Sequence, residues 1–474
     1  MLDFLNTIVG ILNTWLWSYI LIFLLIVLGI YFTLRSKFVQ FRYFGEMFKL
    51  LGEGATNARG EKEKQGISSF QAFCISTASR VGTGNLAGVA LAIAVGGPGA
   101  VFWMWIIAII GAGSSFVEST LAQIYKVADE DGYRGGPAYY MEKALGQRWM
   151  GVIFSILISI SFGLIFNAVQ SNTISFAFEE AFNINRFHVG IILAVLTTFI
   201  IFGGVKRVAK VVETIVPVMA IIYVLVATFV LIKNITAIPS LFYLIFTNAF
   251  GMKQAVGGGI GIAMMQGIKR GLFSNEAGMG SAPNAAAAAE VSHPVKQGLI
   301  QTLGVFTDTL LICSATAFII ILSGAYEMTG VEGIQLTQIA LSSQVGNWAN
   351  AFVAICIFLF AFSSVVGNYY YGESNIEFLN GNKTVLFFYR VSVVLMVLWG
   401  SISKIAIVWD MADLFMGIMA VINLIAITML GGIAFDVLDD YTRQKKEGKN
   451  PIFHVDNIPG LKNVECWGEA KKNV

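Results

Sequence analysis

The chain has 474 residues, of which 56% are hydrophobic and only 13% are charged, and its mean hydropathy is +0.72. Since soluble domains carry roughly 25% charged residues, this composition excludes an ordinary soluble protein and predicts an all-α polytopic membrane protein. The net charge of +2 gives no indication of a nucleic-acid partner. The four cysteines and three histidines are scattered, which argues against a disulfide framework, a metal centre, a bound cofactor or an enzyme active site.

Eleven apolar stretches, one of them broken, have the length that a bilayer-spanning helix requires. Their approximate bounds are 16–35, 68–95, 99–125, 149–178, 188–204, 211–232, 256–290 (the broken stretch), 297–324, 347–371, 385–402 and 406–437. The apolar segment 239–247 is too short to span, and we predict a surface helix there.

The distribution of lysine and arginine over the loops predicts the orientation of the chain. The loops on one side of the predicted membrane hold 22 of these residues, and the loops on the other side hold 4. Because cytoplasmic loops carry the excess of positive charge, we expect the N-terminus outside and the C-terminus in the cytoplasm of a multi-pass cell-membrane protein.

Two of the predicted spans are interrupted by glycines and polar residues. The second span contains Ser-Arg-Val-Gly-Thr-Gly-Asn at 79–85, and the seventh contains a glycine-rich segment at 257–278. Hydrocarbon cannot hydrogen-bond an open backbone, so such breaks are tolerated only where protein or a water-filled cavity receives the freed groups. Setting the first span aside, the breaks fall in the first and sixth of ten spans. Five is an odd number, so the two halves have opposite topology, a pattern that points to a binding site between the breaks.

This pattern divides the chain into four regions. Residues 1–66 hold an N-terminal transmembrane helix and a cytoplasmic loop, and 67–235 form a first repeat of five helices. Residues 236–437 form the second, inverted repeat, and 438–474 form a cytoplasmic tail.

The first break is the strongest candidate for a substrate site. Unwinding frees carbonyl groups that bind a cation and amide groups that hold a carboxylate. The alternative is a glycine-rich packing face between helices, but the polar residues among the glycines favour a functional role. The substrate-binding candidates here are Ser79, Gly82, Thr83, Gly84 and Asn85.

Three further regions supply candidates. Phe273, Ser274 and Asn275 are predicted to form a second wall of the site, against the alternative of an interfacial turn near Lys269 and Arg270. Gln170 shares a helix face with Asn167 and Thr173, and its carbonyl is able to accept from a substrate ammonium or to bond a neighbouring helix. The adjacent hydroxyls of Ser363 and Ser364 suit a small monovalent cation, although serine also bonds its own helix.

Arg80 lies at bilayer depth, where an unpaired charge costs roughly 2.5–3.5 kcal/mol, so we expect it to face the interior and be paired. Glu276 and Asp308 are the expected partners, and Glu118 is a further acidic candidate. We predict a structural or gating role for Arg80, Glu276 and Asp308 rather than direct substrate contact.

Four long motifs resemble the alanine or glycine:cation symporter family. They are Gly96-Gly-Pro-Gly-Ala-Val-Phe-Trp-Met-Trp105, Val81-Gly-Thr-Gly-Asn-Leu-Ala-Gly-Val89, Arg134-Gly-Gly-Pro-Ala-Tyr-Tyr140, and Lys269-Arg-Gly-Leu-Phe-Ser-Asn-Glu-Ala-Gly278 with its continuation to residue 289. The similarity extends from about residue 15 to about residue 440.

The resemblance implies one N-terminal helix followed by a 5+5 inverted repeat of the leucine-transporter type. It implies sodium-coupled import of alanine and glycine by alternating access, with sodium as the coupling ion and no other cofactor. A sodium site would join backbone at Ala78 and Val81 to Ser363 and Ser364. Proton coupling through a buried carboxyl group remains the alternative.

Overall fold

The computed structural model describes residues 2–57, 66–129, 132–251, 259–328, 330–331 and 333–467, and these are nearly all helical. One antiparallel hairpin interrupts the helices, with Val127–Asp129 paired to Gly132–Arg134. The all-α prediction is confirmed. The glycines at 257 and 258 and the predicted start of the seventh span at 256 lie outside the described residues.

The helices of the first half begin with three segments that form one long N-terminal rod. The bounds are Leu2–Trp15, Leu16–Leu21, Ile22–Arg35, Val39–Arg42, Phe44–Asn57, Ser69–Arg80, Gly84–Gly88, Val89–Gly96, Gly99–Ile124, Pro137–Lys143, Arg148–Ile160, Ser161–Phe166, Asn167–Phe182, Arg186–Ile201 and Gly204–Lys233.

The second half has a similar alternation of long and short helices. The bounds are Ile235–Ala237, Ile238–Ala249, Gly259–Asn275, Ala282–Ala288, Pro294–Val305, Phe306–Cys313, Ser314–Ser323, Ala325–Glu327, Ile334–Val345, Trp348–Leu379, Lys383–Ile402, Ile405–Lys446 and Val455–Asn457.

Within the described residues, eight helices are long and apolar enough to cross a membrane, and one bent pair makes a ninth span. The remaining two predicted spans correspond to Arg186–Ile201, which has 16 residues, and to the interrupted helices Gly259–Asn275 and Ala282–Ala288. The count of eleven therefore stays a prediction. The predicted surface helix at 239–247 is present as Ile238–Ala249.

The outer surface of the helices is apolar, as lipid contact requires. Met429, Ile232 and Leu225 are 66%, 64% and 62% exposed, whereas polar side chains such as Asn85 and Asp308 are fully buried. A soluble protein shows the opposite distribution, with most charged and amide side chains at the surface. The chain is a multi-pass membrane protein whose polar groups point inward.

Both predicted breaks are present. Ser69–Arg80 and the helix Gly84–Gly96 meet at 46°, and we call this pair the first broken span. Gly259–Asn275 and Ala282–Ala288 are separated by six residues, and we call this pair the second broken span. The two lie against each other, with the second half of the first contacting the first half of the second.

One helix in a predicted loop was not expected from the sequence. Ile334–Val345 lies within the segment read as a connector between the eighth and ninth spans. Thr337 Oγ1 donates to Leu86 O at 3.0 Å, and Gln338 Nε2 donates to Ala177 O at 3.2 Å. This helix therefore packs against the second half of the first broken span, beside the break.

Candidate functional site at the two helix breaks

The first break arises because Gly82 leaves the helical hydrogen-bond pattern. The helix ends at Arg80, and Val81 has φ −84° and ψ 86°, outside the helical region. Gly82 N donates to Asn85 Oδ1 at 2.9 Å and to Arg80 O at 3.1 Å, so it does not continue the helix by donating to Ala78 O. The carbonyl of Ala78 is consequently free for another partner.

That partner is a serine of the long helix Trp348–Leu379. Ser364 Oγ lies 2.7 Å from Ala78 O and 3.5 Å from Val81 O, and it also reaches Phe360 O in its own helix. A hydroxyl and two backbone carbonyls thus converge, and hard oxygen ligands of this kind suit a small cation. Ser363 Oγ donates instead to Phe360 O at 2.8 Å. Of the predicted cation ligands, Ala78, Val81 and Ser364 are brought together, and Ser363 lies beside them.

Gln170 reaches into the first break. Its Oε1 accepts from Thr83 N at 2.9 Å and from Thr83 Oγ1 at 2.7 Å. The other two residues predicted on the same face bond their own helix, since Asn167 donates to Gly163 O and Thr173 to Val169 O. Gln170 is therefore the member of that face that contacts the candidate site.

Asp308 joins the two broken spans. Its Oδ1 accepts from Asn85 Nδ2 at 2.6 Å and from Ser274 Oγ at 3.0 Å. Both donors also contact the Sγ of Cys313, at 3.3 and 3.2 Å. Asn275 Nδ2 donates to Thr309 Oγ1 at 3.3 Å. Ser274 and Asn275 are fully buried within the helix bundle, where they contact Asp308 and Thr309.

The two spans approach each other closely at Gly84. A Cβ atom placed there would lie 3.0 Å from the ring of Phe273 and 3.2 Å from the Cα of Ser274. The Cα of Ser274 is a backbone atom, so a larger residue at position 84 would require the two spans to move apart by a few tenths of an ångström.

The second break follows Asn275 and depends on left-handed backbone. Glu276, Gly278 and Gly280 have φ of +58°, +83° and +86°. Asn275 Oδ1 accepts from Ala277 N at 3.0 Å. Phe273, Ser274 and Asn275 thus form the last helical turn before the break, and the basic pair at 269–270 lies in the helix upstream of it.

Glu118 of the neighbouring helix Gly99–Ile124 holds the second break. Its two carboxylate oxygens accept from Gly278 N at 3.1 Å and from Gly280 N at 3.0 Å. Asn423 Nδ2 donates to the same carboxylate at 2.8 Å and to Gly278 O at 2.9 Å. One buried side chain therefore satisfies two amide groups that the break removes from the helix.

The expected pairing of Arg80 is wrong. Among the described residues, Arg80 forms no ion pair; its Nη1 donates to Gln301 O at 3.2 Å, and its Nε and Nη2 have no hydrogen-bond partner. Glu276 accepts from Ser79 Oγ and from Ser281 Oγ, both at 2.6 Å. Asp308 is occupied by the amide and hydroxyl donors described above. Burial of the guanidinium was correctly expected, but its hydrogen-bonding partner among the described residues is the neutral Gln301 rather than a carboxylate.

An aromatic layer and a buried ion pair cover the site on one side, and the sequence reading missed both. Phe273 packs between Phe166 and Trp409, with ring centroids 4.6 and 4.8 Å apart. The guanidinium of Arg270 lies 4.6 Å from the centre of the Trp409 ring and makes two hydrogen bonds to Asp413, at 3.0 and 2.7 Å. An aspartate inside the apolar stretch 406–437 was the available signal, because acidic residues in spans are rare and usually functional.

Comparison with known proteins agrees with this architecture. The model of the sodium:alanine symporter family matches residues 2–455. The chain belongs to this family. It is 60% identical to the Probable sodium/glutamine symporter GlnT of Bacillus subtilis, over 98% of this chain and 97% of the relative. It is also 60% identical to the amino-acid carrier protein AlsT of the same organism, with 99% of each chain covered. The sodium/alanine symporter AgcS of Methanococcus maripaludis is 37% identical, over 95% of this chain and all of the relative.

Solved structures show the same fold. The crystal structure of MhsT in complex with L-phenylalanine has a TM-score of 0.54 at 13% identity and covers 79% of this chain and 99% of that chain. At this identity the likeness concerns the fold alone, and it confirms the predicted leucine-transporter type.

Proposed function

We propose that this protein is a sodium-coupled symporter that imports small neutral amino acids by alternating access. The observation that carries the proposal is the convergence at the first break of a cation-type oxygen set, at Ala78, Val81 and Ser364, with the amide groups and polar side chains from Gly82 to Asn85. The family and the names of the relatives support amino-acid and cation symport. The charge of the loops supports an outward N-terminus.

Gln170 gives the proposed site a way to respond to its substrate. Its carbonyl now accepts from both donors of Thr83. A substrate carboxylate binding the amide groups of the break would take over these donors, because a charged acceptor forms the stronger hydrogen bond. The released Gln170 carbonyl would then accept from the ammonium group of the same molecule. Both ends of a zwitterionic amino acid are thereby recognised.

Sodium entry supplies the driving force of the proposed cycle. One charge moving down 100 mV yields roughly 2.3 kcal/mol, and a tenfold concentration gradient adds about 1.4 kcal/mol. A cation at Ala78, Val81 and Ser364 would fix the unwound backbone beside the substrate carboxylate. Each ligand would then raise the affinity of the other by the same factor.

Three amino acids are candidate substrates. Alanine or glycine is the expectation from the sequence, and glutamine is favoured by the name of one of the two relatives at 60% identity. The aromatic layer of Phe166, Phe273 and Trp409 beside the break limits the size of the bound side chain. Excluding extra methylenes gives only about 1–3 kcal/mol of discrimination each, so uptake of all three must be compared.

The test is uptake of labelled alanine, glycine and glutamine into proteoliposomes, with sodium or potassium outside at fixed pH. We expect saturable uptake that requires sodium, and uptake that follows a pH gradient without sodium would instead establish proton coupling. Thr83→Ala and Asn85→Ala are expected to abolish sodium-dependent uptake without loss of folded protein. Thr228→Ala is the matched control, because Thr228 is exposed and bonds only its own helix. Full activity of both site variants would remove the site assignment.

A further inference from the structure

The C-terminal tail returns to the helix bundle. Residues 450–467, which we call the tail strap, lie along the loop that follows the half-helix Ala282–Ala288. Phe453 N donates to Ser292 O at 2.8 Å, and Ser292 Oγ donates to Pro451 O at 2.9 Å. A charged tail with no role in the fold would be free in solution, whereas this segment is bound by its backbone.

Trp467 anchors the far end of the tail strap. Its side chain is only 8% exposed, and its Nε1 donates to Gln123 O at 2.8 Å. The ring packs edge-on against Phe453, with centroids 5.3 Å apart. The ammonium of Lys126 lies 4.9 Å from the centre of the same ring, within cation–π distance.

The residues that hold Trp467 also hold the end of the second broken span. Gln123 Nε2 donates to the carbonyls of Ala286 and Ala289, and Lys126 Nζ donates to Ala289 O at 2.9 Å. Burial lowers the pKa of Lys126 to about 8, so the ammonium form still predominates at neutral pH. The tail strap thus contacts the half-helix through two intermediates, Gln123 and Lys126.

At the same point the two broken spans are joined to each other. Ile67 N donates to Ala288 O at 3.3 Å, and Glu290 N donates to Ile67 O at 3.0 Å. Ile67 is followed by Ser68, whose side chain accepts from Gln71 N and caps the helix Ser69–Arg80. This backbone bridge closes the space between the ends of the two broken spans on the face where the tail lies.

A cavity of about 380 Å³ reaches the bridge from the same face. Its polar lining includes Glu53, Ser68, Glu290, Ser292, Lys296 and, from the tail strap, Asn450. Lys296 Nζ donates to Asn450 Oδ1 at 2.7 Å. Separation of the bridge would therefore open a route between the helix breaks and this cavity, and the tail strap borders both.

We propose that the tail strap locks the gate on this face, with Trp467 and Lys126 as positioning residues that keep Ala282–Ala288 against the first broken span. The role of the tail strap in transport rests on the proposed function. Opening requires the bridge at Ile67 and Ala289 to separate. The strap resists that step because Gln123 and Lys126 bind the half-helix and Trp467 simultaneously.

The test measures how fast a buried cysteine is labelled from solution in the full-length protein, reconstituted in lipid nanodiscs. Ala285→Cys places a thiol on the half-helix at a position that is fully buried, and Cys466→Ser removes the half-exposed native thiol. Labelling with a membrane-impermeant maleimide is measured without sodium. We expect Trp467→Ala to raise the labelling rate by more than about fivefold, because the buried hydrogen bond alone is worth about that factor and the ring contacts to Phe453 and Lys126 are lost with it. Trp149→Ala, at a 63% exposed site, is the matched control and should leave the rate unchanged.

Two further variants separate the lock from a loss of folding. Trp467→Phe keeps the packing and the cation–π contact but removes the N–H donor, so we expect an intermediate rate. A chain ending at Lys449 lacks the whole strap and should give the fastest labelling, with a melting profile that remains cooperative. Labelling of this truncated protein at the wild-type rate would overturn the proposal.

Transport measurements distinguish failure of the lock from failure of the proposed function. In proteoliposomes we expect Trp467→Ala to change kcat and leave KM unaltered, because Trp467 does not contact the candidate substrate site. Absence of sodium-dependent uptake in the wild type would refute the proposed function, whereas the labelling result would still decide whether the strap holds the gate.

Discussion

The contact between Glu118 and the second break gives the sharpest prediction from the structure. In Glu118→Gln the amide retains one acceptor oxygen, but its NH₂ group turns a donor toward the N–H of Gly278 or Gly280. At least one hydrogen bond to a charged acceptor is lost, at about 1.5–3 kcal/mol. Because Asn423 donates to the same carboxylate, Glu118→Ala leaves three buried donors without their acceptor and should be the more damaging change.

The assay is a pair of measurements on purified protein, thermal unfolding and substrate binding by calorimetry. We expect Glu118→Gln to lower the melting temperature and to weaken substrate binding about tenfold or more, since a loss of about 1.4 kcal/mol in the ordered break corresponds to a factor of ten. Glu327→Gln, at an exposed carboxylate, serves as the matched control. Wild-type melting and affinity in Glu118→Gln would refute the reasoning that this side chain orders the break.

Two further substitutions test the remaining parts of the site. Ser364→Ala removes the hydroxyl beside the carbonyls at 78 and 81, so we expect the sodium concentration for half-maximal uptake to rise at least about tenfold. Ser363→Ala loses only a hydrogen bond within its own helix, so we expect it to change this sodium concentration little. Equal effects of the two substitutions would contradict the proposed cation ligands. Asp413→Asn removes the negative charge that pairs with Arg270 and Lys269 and leaves one acceptor for the two guanidinium donors, and breaking a buried ion pair costs about 3–5 kcal/mol. We expect lower thermal stability and faster labelling of the native thiol of Cys313, which is buried beside Ser274, and unchanged values would show that this ion pair does not cover the site.

Much of the architecture could be predicted because the bilayer imposes simple rules on sequence. Apolar length located the spans, and glycine with polar residues at 79–85 located the first break, since hydrocarbon cannot satisfy the backbone groups that such a break frees. Ser364 was predicted for the cation site from the family resemblance and helix order, and the structure places its hydroxyl beside the carbonyls of Ala78 and Val81.

The partners of buried charges could not be predicted in the same way. Arg80 was expected to pair with Glu276 or Asp308 because opposite charges attract, yet those carboxylates bind hydroxyl and amide donors instead. Neutral donors and acceptors are common in spans, and which of them meet depends on helix rotation and depth, which the sequence does not encode locally. The position of the second break was imprecise for a related reason. The predicted break included the glycines that precede Lys269, whereas the residues with left-handed backbone begin at Glu276.

The helix Ile334–Val345 was missed because its apolar and polar residues do not follow a clear membrane pattern. Its hydrogen bonds to Leu86 and Ala177 are tertiary contacts, and these decide its position. The tail strap was missed for the same reason, since a charged C-terminal segment normally indicates a solvated tail.

The central claim is that the two helix breaks hold the transported solute. It is tested most directly by an experimental structure determined in sodium with the amino acid that uptake assays identify. We predict density for the amino acid between Gly82–Asn85 and Phe273–Asn275, with its carboxylate at the amide groups of the first break and Gln170 turned away from Thr83. Density for the solute elsewhere in the bundle, or a first broken span that is continuous through Gly82 when solute is bound, would contradict it.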